Sequence, residues 1–174
     1  MNINGRFNQA DSLPYGTKFY KIDLHCHTPA SEDARGSNRY NFNPYIVEYP
    51  DKTDGDYEQK VAQIQEDILC GAKKVARAIV ARFREQGLSL VAITDHNGIG
   101  TIWTDPESDR RIMDLAAPTW YELIDKEAQN INAKAGKTVL TILPGMEVST
   151  AGVHLLTVFP PPCLLYTSPS PRDA

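Results

Sequence analysis

Several things are scarce in this chain, and each scarcity closes off a class of function. Cysteine occurs 3 times in 174 residues, with no paired spacing. That excludes a disulfide framework and a zinc-finger pattern, and it fits a reducing compartment. Basic charge is not in excess: 18 Lys and Arg against 22 Asp and Glu leave a formal net charge of -4. A protein held to nucleic acid mainly by its overall field is therefore excluded, although a local basic patch is not. No apolar run approaches membrane-spanning length, and the opening MNINGRFNQADSLPYGTK has neither a basic n-region nor an apolar core. The expectation is a cytoplasmic protein with no membrane partner. What remains, 41% hydrophobic and 23% charged residues, is enough for one ordinary globular domain with a sizeable core.

Four apolar, β-branched runs read as strands: KFYKIDLHCH, LSLVAITDH, TVLTILPGMEVS and VHLLTVF. Helical periods separate the first three. Between the first two, Val61, Ile64, Ile68, Val75, Ile79 and Phe83 recur at spacings of three, four or seven, and Gly87 offers a stop. Lys73, Lys74, Arg77 and Arg84 on this helix read as its solvated face, with phosphate binding as the less favoured role. A second helix starts at Thr119 as N-cap with Glu122 in the capping-box position, and fades at Gly136. Trp120, Leu123, Ile124 and Ile131 would form its buried stripe, which is core rather than a cofactor box. Strands alternating with helices indicate an α/β fold with a parallel sheet, either open or rolled into a barrel. The last two runs are separated only by TAG, so they form either a tight hairpin or two strands with a break in alternation.

One long loop, residues 34–56, follows the first strand and carries Arg35, Arg39, Tyr40, Phe42, Tyr45 and Tyr49. Loops of this length are usually functional or disordered. Two readings are open: a lid whose aromatics stack a base and whose arginines hold phosphate, or a folded surface insertion with no substrate contact.

The chemistry gathers at the strand ends. In an extended chain alternate residues share a face, so His25 and His27 point the same way, about 6.5 Å apart, within reach of one metal ion. Cys26 lies between them on the other face and is not counted as a ligand. Asp23 shares the histidine face by the same parity, placed to accept a ring N–H and fix a tautomer. The second strand ends in Asp95-His96, the third in Glu147, and the fourth begins with His154, so that all 4 histidines of the chain fall on these edges. Catalytic groups of parallel α/β barrels gather at such ends, because the loops there surround one mouth. On the second strand Leu90, Ala92 and Thr94 share the parity of His96, opposite Val91 and Ile93. On the third, Thr141, Leu143 and Gly145 share that of Glu147, opposite Leu140, Ile142, Met146 and Val148. The larger apolar side chains thus turn toward the helices. Separate structural histidines, each with its own hydrogen-bond partner, are the competing explanation.

Taken in order, DLHCHTPAS, AITDHN, PGMEVST and GVHLLTVF resemble the successive motifs of the PHP (polymerase and histidinol phosphatase) domain, over about residues 18–160. The resemblance implies a distorted β/α barrel of seven strands with up to three divalent metals. By motif, His25 and His27 would bind one metal, Glu147 would bridge two, His154 would complete the other side of that pair, and His96 would belong to the third. Glu32 matches the acidic ligand after TPAS, with Asp33 as a close competitor. Asp95 would orient a ligand or relay a proton. The family's later histidine and Asp-x-His pair have no counterpart here, so the expectation is the first half of a TIM-like (β/α)7 barrel, truncated, incomplete as an enzyme, and with an unpaired sheet edge.

The domain reading is an N-terminal extension at 1–17, a partial PHP domain at 18–162 and a tail at 163–174. Within that tail CLLYTSPSPRD resembles the translation of a transposon-end adapter used in sequencing libraries, which would make it an artefact. A Pro/Ser-rich disordered tail is the alternative. Mixed imidazole and carboxylate ligands suit zinc, manganese or iron. The leading function is then metal-dependent hydrolysis of a phosphoester, with a phosphorylated small molecule, nucleotide or nucleic-acid end as substrate. One alternative is a structural or regulatory metal-binding module of a larger ATPase or polymerase-type protein, since FYKIDLHCHTPAS and VHLLTVFPP resemble PHP domains linked to a C-terminal ATPase. Another is an amidohydrolase-like metal hydrolase, which the Glu147 to His154 spacing disfavours.

Overall fold

The 3.6-residue apolar period before Gly87 folds as one long helix, α1 (Tyr57–Glu85), in a computed structural model that describes residues 20–31, 41–96, 100–106, 114, 116–150 and 152–159. Val61, Ile68, Val75, Ile79 and Phe83 are buried along it, together with Ala72, Ala76 and Val80. Its end is set by Gly87, whose φ of 71° is the left-handed value that glycine adopts without a Cβ clash.

The second helix, α2 (Trp120–Ala135), begins as its sequence requires. Thr119 accepts the N–H of Glu122 at 3.1 Å and Glu122 accepts the N–H of Thr119 at 2.8 Å, a complete capping box. Gly136, at φ 64°, ends it. Trp120, Ile124 and Ala128 are its fully buried face, while Leu123 and Ile131 pack at the rim of the core. The Asn132 side chain accepts the N–H groups of Val139 and Leu140 and donates to Leu140 O, which ties this helix to the strand that follows.

The strands β1 (Lys21–Cys26), β2 (Leu88–Ile93), β3 (Thr141–Thr150) and β4 (Val153–Val158) form one mixed, curled sheet in the order β1-β2-β3-β4. The first three are parallel, as helix crossovers require. β4 departs from that pattern: it returns antiparallel to β3, with Thr150 paired to Val153 and Gly152 at φ 89°, so the last two runs form a hairpin. Val91, Ile93, Leu140 and Ile142 face the helices and share one core with Val75, Ile79, Val80, Phe83, Trp120 and Ile124. The β2 and β3 parity read from the sequence therefore holds.

Two other expectations change. The β1 pairing register shifts between Asp23 and Cys26, so strict alternation fails there. Asp23 accepts the backbone N–H of His25 at 3.0 Å instead of a ring N–H. The described part of the long loop is pinned rather than poised as a lid. Tyr45 is buried, donates to Thr101 O at 2.6 Å and accepts from Trp120 Nε1 at 2.7 Å. Phe42 meets Trp120 edge-on and sits so close to α1 that a Cβ at Gly71 would lie 2.2 Å from it. Tyr49 donates to Thr104 O. Tyr45 and Phe42 are core material; Arg35, Arg39 and Tyr40 lie outside the described residues, as do residues 1–17 and 163–174.

Among the described residues β1 and β4 are the sheet edges, and they carry exposed apolar side chains, Ile22, Leu24, Val153 and Leu155 among them. No described helix is long and apolar enough to cross a membrane.

Candidate metal centre

Glu147 is the floor of the site. It lies on β3, is 1% exposed, and its backbone N–H donates to Asp95 O at 3.0 Å, which fixes it beside the end of β2. Four imidazoles surround its carboxylate. His27 Nε2 is 2.8 Å from Oε2, His25 Nε2 is 3.2 Å and His96 Nδ1 is 3.5 Å from the same oxygen, and His154 Nδ1 contacts Oε1. Neighbouring rings stand close: centroids are 4.7 Å apart for His25 and His27, and 4.5 Å for His27 and His96.

Each element places its ligand for a local reason. His25 and His27, two positions apart at the end of β1, meet one carboxylate oxygen, as their spacing leads one to expect. His96 follows the end of β2 and forms an isolated parallel bridge with Glu147. The hairpin pairs Ser149 with His154 and Glu147 with Leu156, so His154 and Glu147 share a face on adjacent strands. Ser149 Oγ also lies 3.2 Å from His96 Nδ1. Gly145 permits the close approach of strands beneath the site, because a Cβ there would lie 2.6 Å from Thr157 O and 2.9 Å from Thr94 Cγ2.

These side chains form two triads, His25–His27–Glu147 and His96–Glu147–His154, in each of which the ligand atoms lie within 4.8 Å of one another. Glu147 is common to both. His96 therefore stands with Glu147 and His154, whereas the motif resemblance put it with a third metal. Cys26 is outside both triads: its half-buried thiol points to His27 O. Burial, with the nearby charges of Asp23 and Asp95, pushes that thiol up to about 12. Glu32, the expected acidic ligand, lies outside the described residues, as does Asp33.

Asp95 occupies a different position from the other expected site residues. It is buried behind the ligands and its carboxylate accepts from Thr28 and Ser31 rather than reaching the cluster. Burial raises its carboxyl above the ordinary range, against the hydrogen bonds from Thr28 and Ser31 that favour the anion. The role of Thr28 and Ser31 was not visible in the sequence; TPAS offered hydroxyls but no partner.

The donor set could hold a metal ion. Four imidazole nitrogens converge on one buried carboxylate, from the ends of β1 and β2 and from β4. Burial alone would raise the Glu147 carboxyl, but the hydrogen bonds from His154 and His27 and the charge of His96 outweigh it and hold it below its ordinary range. A ligand carboxylate must be ionised in this way. In addition, the buried Thr94 hydroxyl, two residues before His96, has no hydrogen-bond partner among the described residues. Exposure rises toward the opening: 11% for the His27 side chain, 45% for His25 and 60% for His154. Comparison with family models, curated proteins and solved structures gives no match to this chain.

Proposed function

We propose that this chain carries the metal centre of a phosphoesterase of PHP type, on the first half of a TIM-like barrel, acting in the cytoplasm. The observation that supports it most is the single buried Glu147 carboxylate shared by two histidine triads. Two divalent cations held there would activate a water nucleophile and neutralise charge on phosphoryl oxygens. His25 and His27 would hold one ion, His96 and His154 the other, and Glu147 both. Zinc, manganese and iron suit this mixture of imidazole and carboxylate.

The chain's own residues supply two further conditions. Glu147 stays ionised at neutral pH, so it competes for cations and not for protons. The gradient of exposure from Glu147 out to His25 and His154 gives a phosphate ester one direction of approach. The substrate class is a phosphorylated small molecule, a nucleotide or a nucleic-acid end. In the full-length protein, manganese-dependent hydrolysis of a phosphoester should be abolished by His25→Ala and by Glu147→Ala. Turnover retained in either variant contradicts the reading. Cleavage of C–N bonds in place of phosphoesters would move the assignment to an amidohydrolase-like enzyme.

A second reading draws on the exposed apolar side chains of β1 and β4. Such surfaces mark contacts with further protein, which favours a metal-bound structural or regulatory module inside a larger assembly, such as one with a linked ATPase. Tight metal binding without hydrolysis of any phosphoester supports it.

A further inference from the structure

Behind the ligand cluster lies a second hydrogen-bonded group that the proposed chemistry leaves unused. Asp95 is 4% exposed. Its Oδ1 accepts the Thr28 N–H at 2.7 Å and the Ser31 hydroxyl at 2.8 Å, and its Oδ2 accepts the Thr28 hydroxyl at 2.7 Å. Ser31 Oγ in turn accepts the N–H of His96 at 3.2 Å. The main chain continues the pattern, because Asp95 O accepts the Glu147 N–H at 3.0 Å.

All three parallel strand ends that bear ligands are thus fastened at one residue. Thr28 follows His27 directly, and Asp95 precedes His96 directly. Glu147 is held through its own backbone. A Cβ at Gly100 would lie 2.1 Å from Ala30 Cβ and 2.9 Å from Asp95 Oδ2, so the chain after β2 closes tightly over the carboxylate. Burying a carboxyl group is costly unless it is hydrogen-bonded, and packing alone would be served by an apolar residue. A rigid clamp on three strand ends is what that cost provides.

We propose that Asp95 is the positioning residue of this centre: its carboxylate clamps the Thr28–Ser31 turn to the end of β2 and so sets the spacing of the two histidine triads around Glu147. The proposal rests on the metal-centre reading above. The Asp95 carboxylate lies outside both triads. It acts by keeping His27 and His96 in register with the shared carboxylate, as partners behind metal ligands do elsewhere.

The test is calorimetric titration of the metal-free chain with Mn2+, for the wild type and for Thr28→Ser, Thr28→Val, Ser31→Ala and Asp95→Asn. The melting temperature of each metal-free variant is measured alongside. Thr28→Val and Asp95→Asn should bind Mn2+ about 10- to 100-fold more weakly, and Thr28→Ser, which keeps the hydroxyl, should bind close to the wild type. Ser31→Ala should fall between them. If Asp95→Asn fails to fold, the two hydroxyl variants carry the test. Wild-type affinity in folded Thr28→Val and Ser31→Ala overturns the clamp, even where their melting temperatures drop, because a purely structural role moves melting alone. Equal losses in Thr28→Ser and Thr28→Val overturn it as well. Failure of the wild type to bind Mn2+ overturns the metal centre itself, and with it the clamp, which separates the two failures.

Discussion

His27 and Glu147 are 120 positions apart in the chain, and their Nε2 and Oε2 atoms lie 2.8 Å apart. The sheet makes that meeting possible: β1 and β3 flank β2, and each delivers its ligand at the same end. The two triads around Glu147 carry separable consequences.

His25 belongs to one triad and His154 to the other. His25→Ala and His154→Ala should therefore each lower the bound metal by one ion per chain and leave the second ion in place. Elemental analysis of the reconstituted variants reads this directly. Loss of all metal from either variant would show a single undivided cluster.

Tyr45 donates to Thr101 O and accepts from Trp120 Nε1 in the core. Tyr45→Phe leaves that buried indole N–H without its hydroxyl acceptor and removes the bond to Thr101 O, at a cost of about 1–3 kcal/mol. Urea unfolding of the metal-free protein should show the loss, while Mn2+ affinity stays unchanged. A change in metal affinity with no loss of stability would return the loop to the role of a lid.

Cys26 and Cys70 should differ sharply in reactivity. The Cys26 thiol is pushed up to about 12 from an ordinary 9.0, chiefly by burial, while Cys70 is exposed. At pH 8 iodoacetamide should modify Cys70 and spare Cys26 in the folded chain, as peptide mapping would show. The linkage follows: the raised thiol contributes stability that is intact below pH 9.0 and lost as pH climbs toward about 12, since the unfolded thiol ionises first. Rapid labelling of Cys26 at pH 8 contradicts the packing of β1.

Much of this was legible in the sequence for local reasons. The caps at Thr119 and Gly136 and the period of α1 depend on residues a few positions apart, and both helices follow them. The face of Glu147 follows from alternation along one strand. What was not legible depends on distant partners or on broken alternation. Asp95 finds Thr28 and Ser31 67 and 64 positions away, and no local pattern reports that. Asp23 was misplaced because the β1 register shifts beside it. Phe42 and Tyr45 look like lid aromatics until α1 and α2 are packed against them. The TAG turn fits two topologies, and only the pairing of β3 with β4 selects the hairpin that brings His154 to Glu147.

The most direct test is the metal content of the purified chain after loading with Mn2+ or Zn2+ and exhaustive dialysis, compared with Glu147→Gln. Two ions per chain in the wild type and almost none in the variant are the expected result, because one carboxylate serves both triads. A wild-type chain that retains no metal, or a Glu147→Gln chain that retains both ions, contradicts the account.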